Sequence, residues 1–353
     1  MSKVSIIVPV YNAGDKLHRC LQSIMSQTFK DWNLLIIDDG CSDNSIAIAR
    51  QYEIRDDRIQ IYHQPNSGSI AARCKGVELS SSSYVMFVDA DDWIDNLMLK
   101  RMISIAEAVD ADITVCNLVK VLGKSKWIRK TNRSEYFVNE KLYTGDEIFS
   151  GLIPAFLHGH SFPAQMHGKL YKRELLQTDG HFLSRIHFFG DDLYYNLEMF
   201  IKAKTVKVIP DGLYYYRAGG STSKYMSYLF KDAVSGYRIQ KEVVETYYIQ
   251  NQDYHLLGIR LMLLNTFPTC LRNMFLGSLS KQEQFTLINE YCSHPAVQES
   301  VNFEAAASRC SPEFIKAIRE KNVSYLYKMG RKNYVKSLFK KTLMNTVSKI
   351  SFL

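Results

Sequence analysis

The chain has no Cys-x-x-Cys pair, although it carries seven cysteines, at positions 20, 41, 74, 116, 270, 292 and 310. An odd number without ligand spacing excludes a simple disulfide frame and a zinc site, and points to reduced, mostly buried thiols in a cytosolic protein. No apolar run approaches the roughly 18 residues that span a bilayer. The first strand-like segment opens at Val4, so no secretory signal is expected before it. Repeats and low-complexity tracts are missing apart from Ser80-Ser81-Ser82-Ser83. Acids are missing from Lys321 onward, where eight bases stand alone; they equal the whole excess of 44 Lys and Arg over 36 Asp and Glu.

What is present is a rhythm of short apolar runs and helices. Ser5–Val10, Leu34–Ile37, Ile59–Tyr62 and Tyr84–Val88 read as strands, the last buried on both faces. Between them Leu17, Leu21, Ile24 and Met25 recur at helical spacing; Ser42 and Asp43 can cap a helix carrying Ile46, Ala49 and Tyr52; and Ile70–Leu79 carries Cys74 and Val77. This alternation predicts an α/β, doubly wound, mostly parallel sheet flanked by helices. Ligands of such sheets bind outside the carboxyl ends of the strands, where Pro9, Asp38, Asp39, Asp89 and Asp91 fall.

Asp89 and Asp91 flank Ala90 at the end of the fourth strand. Strand alternation would send both carboxylates to one side. Hard oxygen donors of this kind suit Mg²⁺ or Mn²⁺, which leave further positions to water and a phosphorylated substrate. Two solvated loop acids are the bland alternative.

In the tail, Val335, Leu338, Phe339, Thr342, Leu343, Thr346, Val347 and Ile350 share one helical face, and Lys332, Lys336 and Lys340 another. A basic amphipathic helix over 321–353 can lie in an anionic membrane surface; packing on the rest of the protein is the alternative. Nucleic acid is not an expected partner, because no aromatic-interleaved groove or known module accompanies the charge.

Taken in order, Val4-Ser5-Ile6-Ile7-Val8-Pro9-Val10-Tyr11-Asn12, Ile37-Asp38-Asp39-Gly40-Cys41-Ser42-Asp43, Asn66-Ser67-Gly68 with Ala72-Arg73, and Asp89-Ala90-Asp91-Asp92-Trp93 resemble the signatures of family 2 glycosyltransferases. The likeness is dense over the first hundred residues and sparser to about 224. It implies the GT-A fold, with 1–110 as the nucleotide-sugar-binding half, 111–224 as the acceptor-binding half, and 225–353 as a mostly helical extension. It also implies that Pro9 and Tyr11 meet the nucleotide and that Asp39 accepts from uracil, hence a UDP-sugar donor. Asp38 serves the same loop or only holds its turn, and Cys41 replaces the commoner serine. By the same likeness Asn66, Gly68 and Arg73 border the donor, the alternative for Arg73 being an ion pair. Asp91 ligates the metal directly, and Asp89 across Ala90 touches ribose or metal-bound water.

Gly190-Asp191-Asp192 resembles the family's Glu-Asp pair, which implies Asp192 as catalytic base with Asp191 beside it; a structural helix cap is the alternative. His167-Gly168-Lys169 resembles the segment before the acceptor helix, putting Lys169 at the diphosphate or acceptor. Tyr214–Ser221 resembles a late strand and mobile loop, with Arg217 and Ser221 closing over the diphosphate, although its tyrosines can equally be core. His158 and His160 lack a third ligand at metal spacing.

These expectations combine into a metal-dependent inverting transferase for a glycan acceptor, lipid-linked in cell-surface polysaccharide assembly, on the inner face of the cytoplasmic membrane. The alternative is a non-catalytic glycan- or nucleotide-sugar-binding relative. A dinucleotide oxidoreductase is disfavoured by Tyr11-Asn12-Ala13-Gly14, which lacks the Gly-x-Gly-x-x-Gly turn, and a nucleotidyltransferase by the want of a basic, glycine-rich loop over 9–16.

Overall fold

The computed structural model describes residues 2–122, 129–159, 161–176, 180–218 and 224–350. The chain forms two units, an α/β unit of 1–153, 161–181 and 195–219 and a helical unit of 154–160, 182–194 and 220–353. The helical unit thus takes in two segments that precede the expected boundary at 224.

The strands are β1 Val4–Val10, β2 Trp32–Asp38, β3 Ile59–His63, β4 Tyr84–Phe87, β5 Trp93–Ile94, β6 Ile113–Leu122, β7 Arg129–Thr131, β8 Lys141–Thr144, β9 Lys169–Lys172 and β10 Thr205–Ala218. Their order is β3-β2-β1-β4-β9-β6-β10-β5, with β7 on β6 and β8 on β10. The first four are parallel. Helices α1 Lys16–Met25, α2 Ser45–Glu53 and α3 Ser69–Leu79 make the crossovers that parallel pairing requires. Leu17, Cys20, Leu21 and Ile24 of α1 cover the sheet as their spacing predicts. Gly76 of α3 passes so close to β1 that a Cβ there would lie 2.4 Å from Cγ2 of Ile7.

Beyond β4 the sheet is mixed: β9 runs antiparallel between β4 and β6, and β10 returns parallel to β6. Antiparallel neighbours need no crossover helix, and three of the four parallel pairings among the described residues lie within β1 to β4. Helices α4 Met98–Ala108, α5 Asp146–Gly151, α6 Ile153–His158 and α7 Asp191–Lys202 complete this part of the chain.

The helical unit contains α8 Leu229–Tyr247, α9 Gln252–Asn273, α10 Lys281–Ser293, α11 Pro295–Val301, α12 Glu304–Ala307, α13 Pro312–Arg319 and α14 Val323–Ile350. Ser280 and Glu283 form a reciprocal capping box on α10, and Ser311 followed by Pro312 starts α13. Leu326 of α14 is buried, whereas Val335, Leu338 and Phe339 farther along the same helix are 55%, 44% and 74% exposed. The side chains of Leu343, Thr346, Val347 and Ile350 lie outside the described residues. Among those described, no helix is long and apolar enough to cross a membrane.

Candidate active site

Parallel pairing of β1 with β2 and β4 brings their carboxyl ends to one edge of the α/β unit. There the Asp38 carboxylate accepts from the Cys41 N–H at 2.8 Å and faces His63 Nδ1 at 2.7 Å. Burial alone would raise its pKa, but these donors hold it below the usual carboxylate range. Asp38 therefore holds the turn. Cys41 donates its thiol to the Val10 carbonyl at 3.3 Å, and burial lifts that thiol to about 12, so it replaces a hydroxyl without offering a thiolate.

Asp39, 3% exposed, accepts from Gln64 Nε2 and the Ser67 and Gly68 N–H groups at 2.8–2.9 Å. A carboxylate offers about four lone-pair sites, so three bonds leave room for one more donor. Asp39 thereby fixes the loop of Asn66 and Gly68, where Gly68 has φ +92°. Gly40, at φ +78°, passes so close that a Cβ would meet the Asn66 nitrogen at 3.0 Å. Tyr11 is 55% exposed, Pro9 half-buried and Asn66 exposed on this edge.

The two-acid segment does not continue the strand. After β4 the Val88 N–H still bonds to Ile7, but the Asp92 N–H then donates to the Asp89 carbonyl at 3.0 Å, closing a four-residue turn around buried Ala90. Strand alternation therefore does not set the directions of the acids. The turn pairs Asp89 with Asp92 and turns Asp91 toward Lys16 Nζ, 3.3 Å away.

One Asp89 oxygen accepts from Arg73 at 2.6 Å and the other lies 3.0 Å from His167 Nδ1. Arg73 is only 4% exposed and the Asp89 side chain 25%, so their pair is largely rather than fully enclosed. Burial would raise the Asp89 pKa, but the Arg73 charge and the His167 contact hold it well below the carboxylate range. Asp92, 1% exposed, accepts from the Tyr214 hydroxyl at 2.9 Å and the Arg217 N–H at 2.7 Å. Burial and then the Asp89 charge push it up to about 7. The His167 ring stacks on Tyr214 with centroids 4.5 Å apart, and its buried Nε2 has no hydrogen-bond partner among the described residues.

Two donor sets are candidates for a divalent cation, and they differ in access. Ligand atoms of Asp89, Asp92 and His167 lie within 4.8 Å of one another, but Asp92 and His167 are 1% and 2% exposed. Mg²⁺ keeps several waters and shares substrate phosphates, which so enclosed a set cannot admit. The Asp91 side chain is 34% exposed and opposed by a half-exposed lysine, so it fits a partly hydrated ion, with Asp89 as its interior neighbour.

Other sequence-expected residues land differently. Lys169, expected at the diphosphate or acceptor, is fully buried, and its ammonium donates to the carbonyls of Pro163 and Gln165, a task set by the interior position of β9. Arg217 donates Nε–H to the Asp91 carbonyl at 2.8 Å and sits with Arg19 over Trp93, which makes it part of the turn's frame. Ser221 and His160 lie outside the described residues.

In the helical unit, Asp191 and Asp192 open α7. Asp191 Oδ1 accepts the neighbouring Asp192 N–H at 2.8 Å, and Asp192 is half-buried. The preceding loop hangs on Asp232, fully buried in α8, whose carboxylate accepts the N–H groups of His187, Phe188 and Phe189 at 2.9 Å each. Sequence reasoning gave no role to Asp232, Asp92 or His167. The signal for Asp232 is an acid at helical spacing with the apolar Leu229, Ile239 and Val243 of α8; Asp92 and His167 lie within quoted motifs, but only the fold brings them together.

Residues 5–180 match the family described as glycosyl transferase family 2. The chain belongs to this family. It is 33% identical over 214 residues to the uncharacterized glycosyltransferase EpsJ of Bacillus subtilis, covering 61% of this chain and 60% of EpsJ. It is 26% identical to the putative glycosyltransferase EpsH of the same organism over 314 residues, 85% of this chain and 86% of EpsH. The chain thus spans about three fifths of EpsJ. Its fold is that of S. aureus TarS 1–349, solved in complex with UDP-GlcNAc, at TM-score 0.63 and 18% identity over 95% of this chain and 92% of that one. The Pyrobaculum calidifontis mannosyltransferase PcManGT, in complex with GDP-Man and Mn²⁺, aligns at TM-score 0.50 and 14% identity over 95% and 87%.

Proposed function

We infer that the chain is a divalent-metal-dependent inverting glycosyltransferase that moves a sugar from a UDP-sugar to a glycan acceptor, lipid-linked, in cell-surface polysaccharide assembly. The observation that carries this is the Asp89–Asp92 turn at the carboxyl edge of the sheet. It presents one accessible carboxylate, Asp91, beside a frame of cations formed by Lys16, Arg19 and Arg217. Tyr11 is exposed for the nucleotide base, and Asp39 keeps capacity for one N–H, as uracil offers.

A divalent cation held there would supply positive charge for the diphosphate leaving group. Asp91 is the residue to hold it, with Asp89 toward ribose or a bound water. Lys16 and Arg19 add positive charge for the phosphates. Asp192 accepts the acceptor hydroxyl proton as the oxygen attacks. A single displacement inverts the anomeric centre. The basic end of α14 suits a protein working at an anionic membrane.

The test is UDP release from a panel of UDP-sugars with and without Mn²⁺, repeated with Asp192→Asn and Asp91→Asn. Asp192→Asn should remove turnover and spare UDP binding by calorimetry; Asp91→Asn should remove the Mn²⁺-dependent part of that binding. Metal-stimulated UDP binding without turnover on any donor would favour the non-catalytic alternative.

A further inference from the structure

Within the helical unit, α9, α13 and the first half of α14 enclose a cleft of about 670 Å³, in the range of sites for small ligands. Its floor is apolar, with Leu264, Pro268, Phe314 and Met329, and its wall carries Arg309, Lys328, Lys332 and Lys336 and no acid. The three lysines recur every fourth residue and so share one face of α14. None of these four cations forms an ion pair among the described residues. A cleft needing only packing would not collect four unpaired positive charges, whose mutual repulsion disfavours it.

Immediately past the cleft, α14 exposes Val335, Leu338 and Phe339, one of them 74% accessible. On a helical projection Phe339 falls among the lysines and Val335 beside them, with Leu338 farther round the helix. Positive charge around an apolar floor, continued by an exposed apolar strip, matches a molecule with an anionic head and a hydrocarbon body.

We propose that this cleft seats the phosphate head of an anionic membrane lipid while Val335, Leu338 and Phe339 enter the bilayer beside it. This rests on the membrane part of the function proposed above and gives it a site; it is independent of the donor chemistry.

The test uses the full chain and vesicles of phosphatidylcholine with or without phosphatidylglycerol. Binding should require phosphatidylglycerol. Each lysine near an anionic surface contributes about fivefold, so the triple variant Lys328→Gln, Lys332→Gln, Lys336→Gln should lose on the order of a hundredfold. Asn265→Trp, which keeps every charge but fills the cleft from α9, should also bind more weakly. Val335→Ser, Leu338→Ser, Phe339→Ser should lose retention at high salt. Short-chain phosphatidylglycerol should compete, and inorganic phosphate should not. Each variant is checked for an unchanged melting curve and for unchanged UDP release, which separates failure here from failure of the glycosyltransferase assignment.

No binding to either vesicle would overturn both the cleft site and the membrane reading. Vesicle binding that survives Asn265→Trp, or is lost equally when Lys281, Lys316 and Lys321 are changed to Gln instead, would overturn the cleft alone. Competition by inorganic phosphate would overturn the lipid.

Discussion

Asp89 and His167, 78 positions apart in sequence, meet at 3.0 Å across the end of β4, and Arg73 closes the other side of the same carboxylate at 2.6 Å. The acid that opens the two-acid motif is therefore fixed from both sides before any ligand arrives. Its neighbour Asp91 keeps an accessible carboxylate. This divides the motif into a member held by Arg73 and His167 and an outer one that faces half-exposed Lys16, the preorganisation a phosphate site benefits from.

Removing Arg73 should strand the Asp89 charge in the interior. Breaking a buried pair from one side costs about 3 kcal/mol, against at most about 1 kcal/mol for an exposed one. Arg73→Met should lower stability by the larger amount in urea unfolding, and adding Asp89→Asn should recover part of the loss. A cost below about 1 kcal/mol, with no recovery in the double variant, would show that the pair is not interior in solution.

Asp112 offers a pH-dependent test away from the site. Its carboxylate accepts the N–H groups of Lys204 and Thr205 at 2.7 and 3.1 Å and pairs with Lys172 at 3.1 Å. Burial opposes ionisation, but these donors prevail and its pKa is lowered. A group depressed in the folded state stabilises above its unfolded value, about 3.9, and loses that contribution as pH falls through the lower folded one. Asp112→Asn should thus melt well below the parent at neutral pH, with the gap narrowing as pH drops under about 4. A gap constant with pH would refute the assignment.

The strands β1 to β4 and their crossover helices were legible because each is a local pattern: apolar runs of strand length, helical spacing between them, and turn residues at the joins. Asp38's hold on its turn follows from the same local logic. The Asp89–Asp92 pairing was not legible, because a backbone hydrogen bond after Phe87 converts a strand period into a turn, and nothing in the residue types marks where the strand stops. The burial of Lys169 was hidden as well. A lysine in a motif reads as a charge for the substrate, and only the antiparallel insertion of β9 between β4 and β6 makes it an interior donor. Asp232 reaches back across more than forty residues to its loop, beyond any sequence window.

Since Asp232 alone accepts three consecutive N–H groups ahead of Asp191 and Asp192, its loss should both loosen the unit and misplace the proposed base. Asp232→Ala leaves three part-buried N–H groups without their acceptor, at a cost on the order of 1–3 kcal/mol. Misplacement by about 1 Å can cost a hundredfold in rate. Asp232→Asn should not rescue, because its amide would face an N–H. The measurements are thermal unfolding and sugar transfer, with UDP binding as the reference that should stay unchanged. Full transfer activity in Asp232→Ala would dissociate this loop from catalysis.

Gly76 sets two effects of opposite sign against each other. In a helix interior, alanine is better than glycine by about 1 kcal/mol, so Gly76→Ala on propensity alone should stabilise α3. The added methyl, however, would sit 2.4 Å from Cγ2 and 3.0 Å from Cδ1 of Ile7, a fully buried residue of β1 that cannot swing aside. Overpacking of this kind costs about 1–3 kcal/mol, so the clash should win and Gly76→Ala should lower stability. Ile7→Ala alone should also destabilise, by about 2–5 kcal/mol, through the cavity it leaves. Combined, the alanine methyl enters space the isoleucine vacated, and the double variant should be more stable than the sum of the single losses predicts, a coupling of about 1 kcal/mol or more. Strict additivity in urea titrations of the four proteins would mean that α3 does not approach β1 this closely.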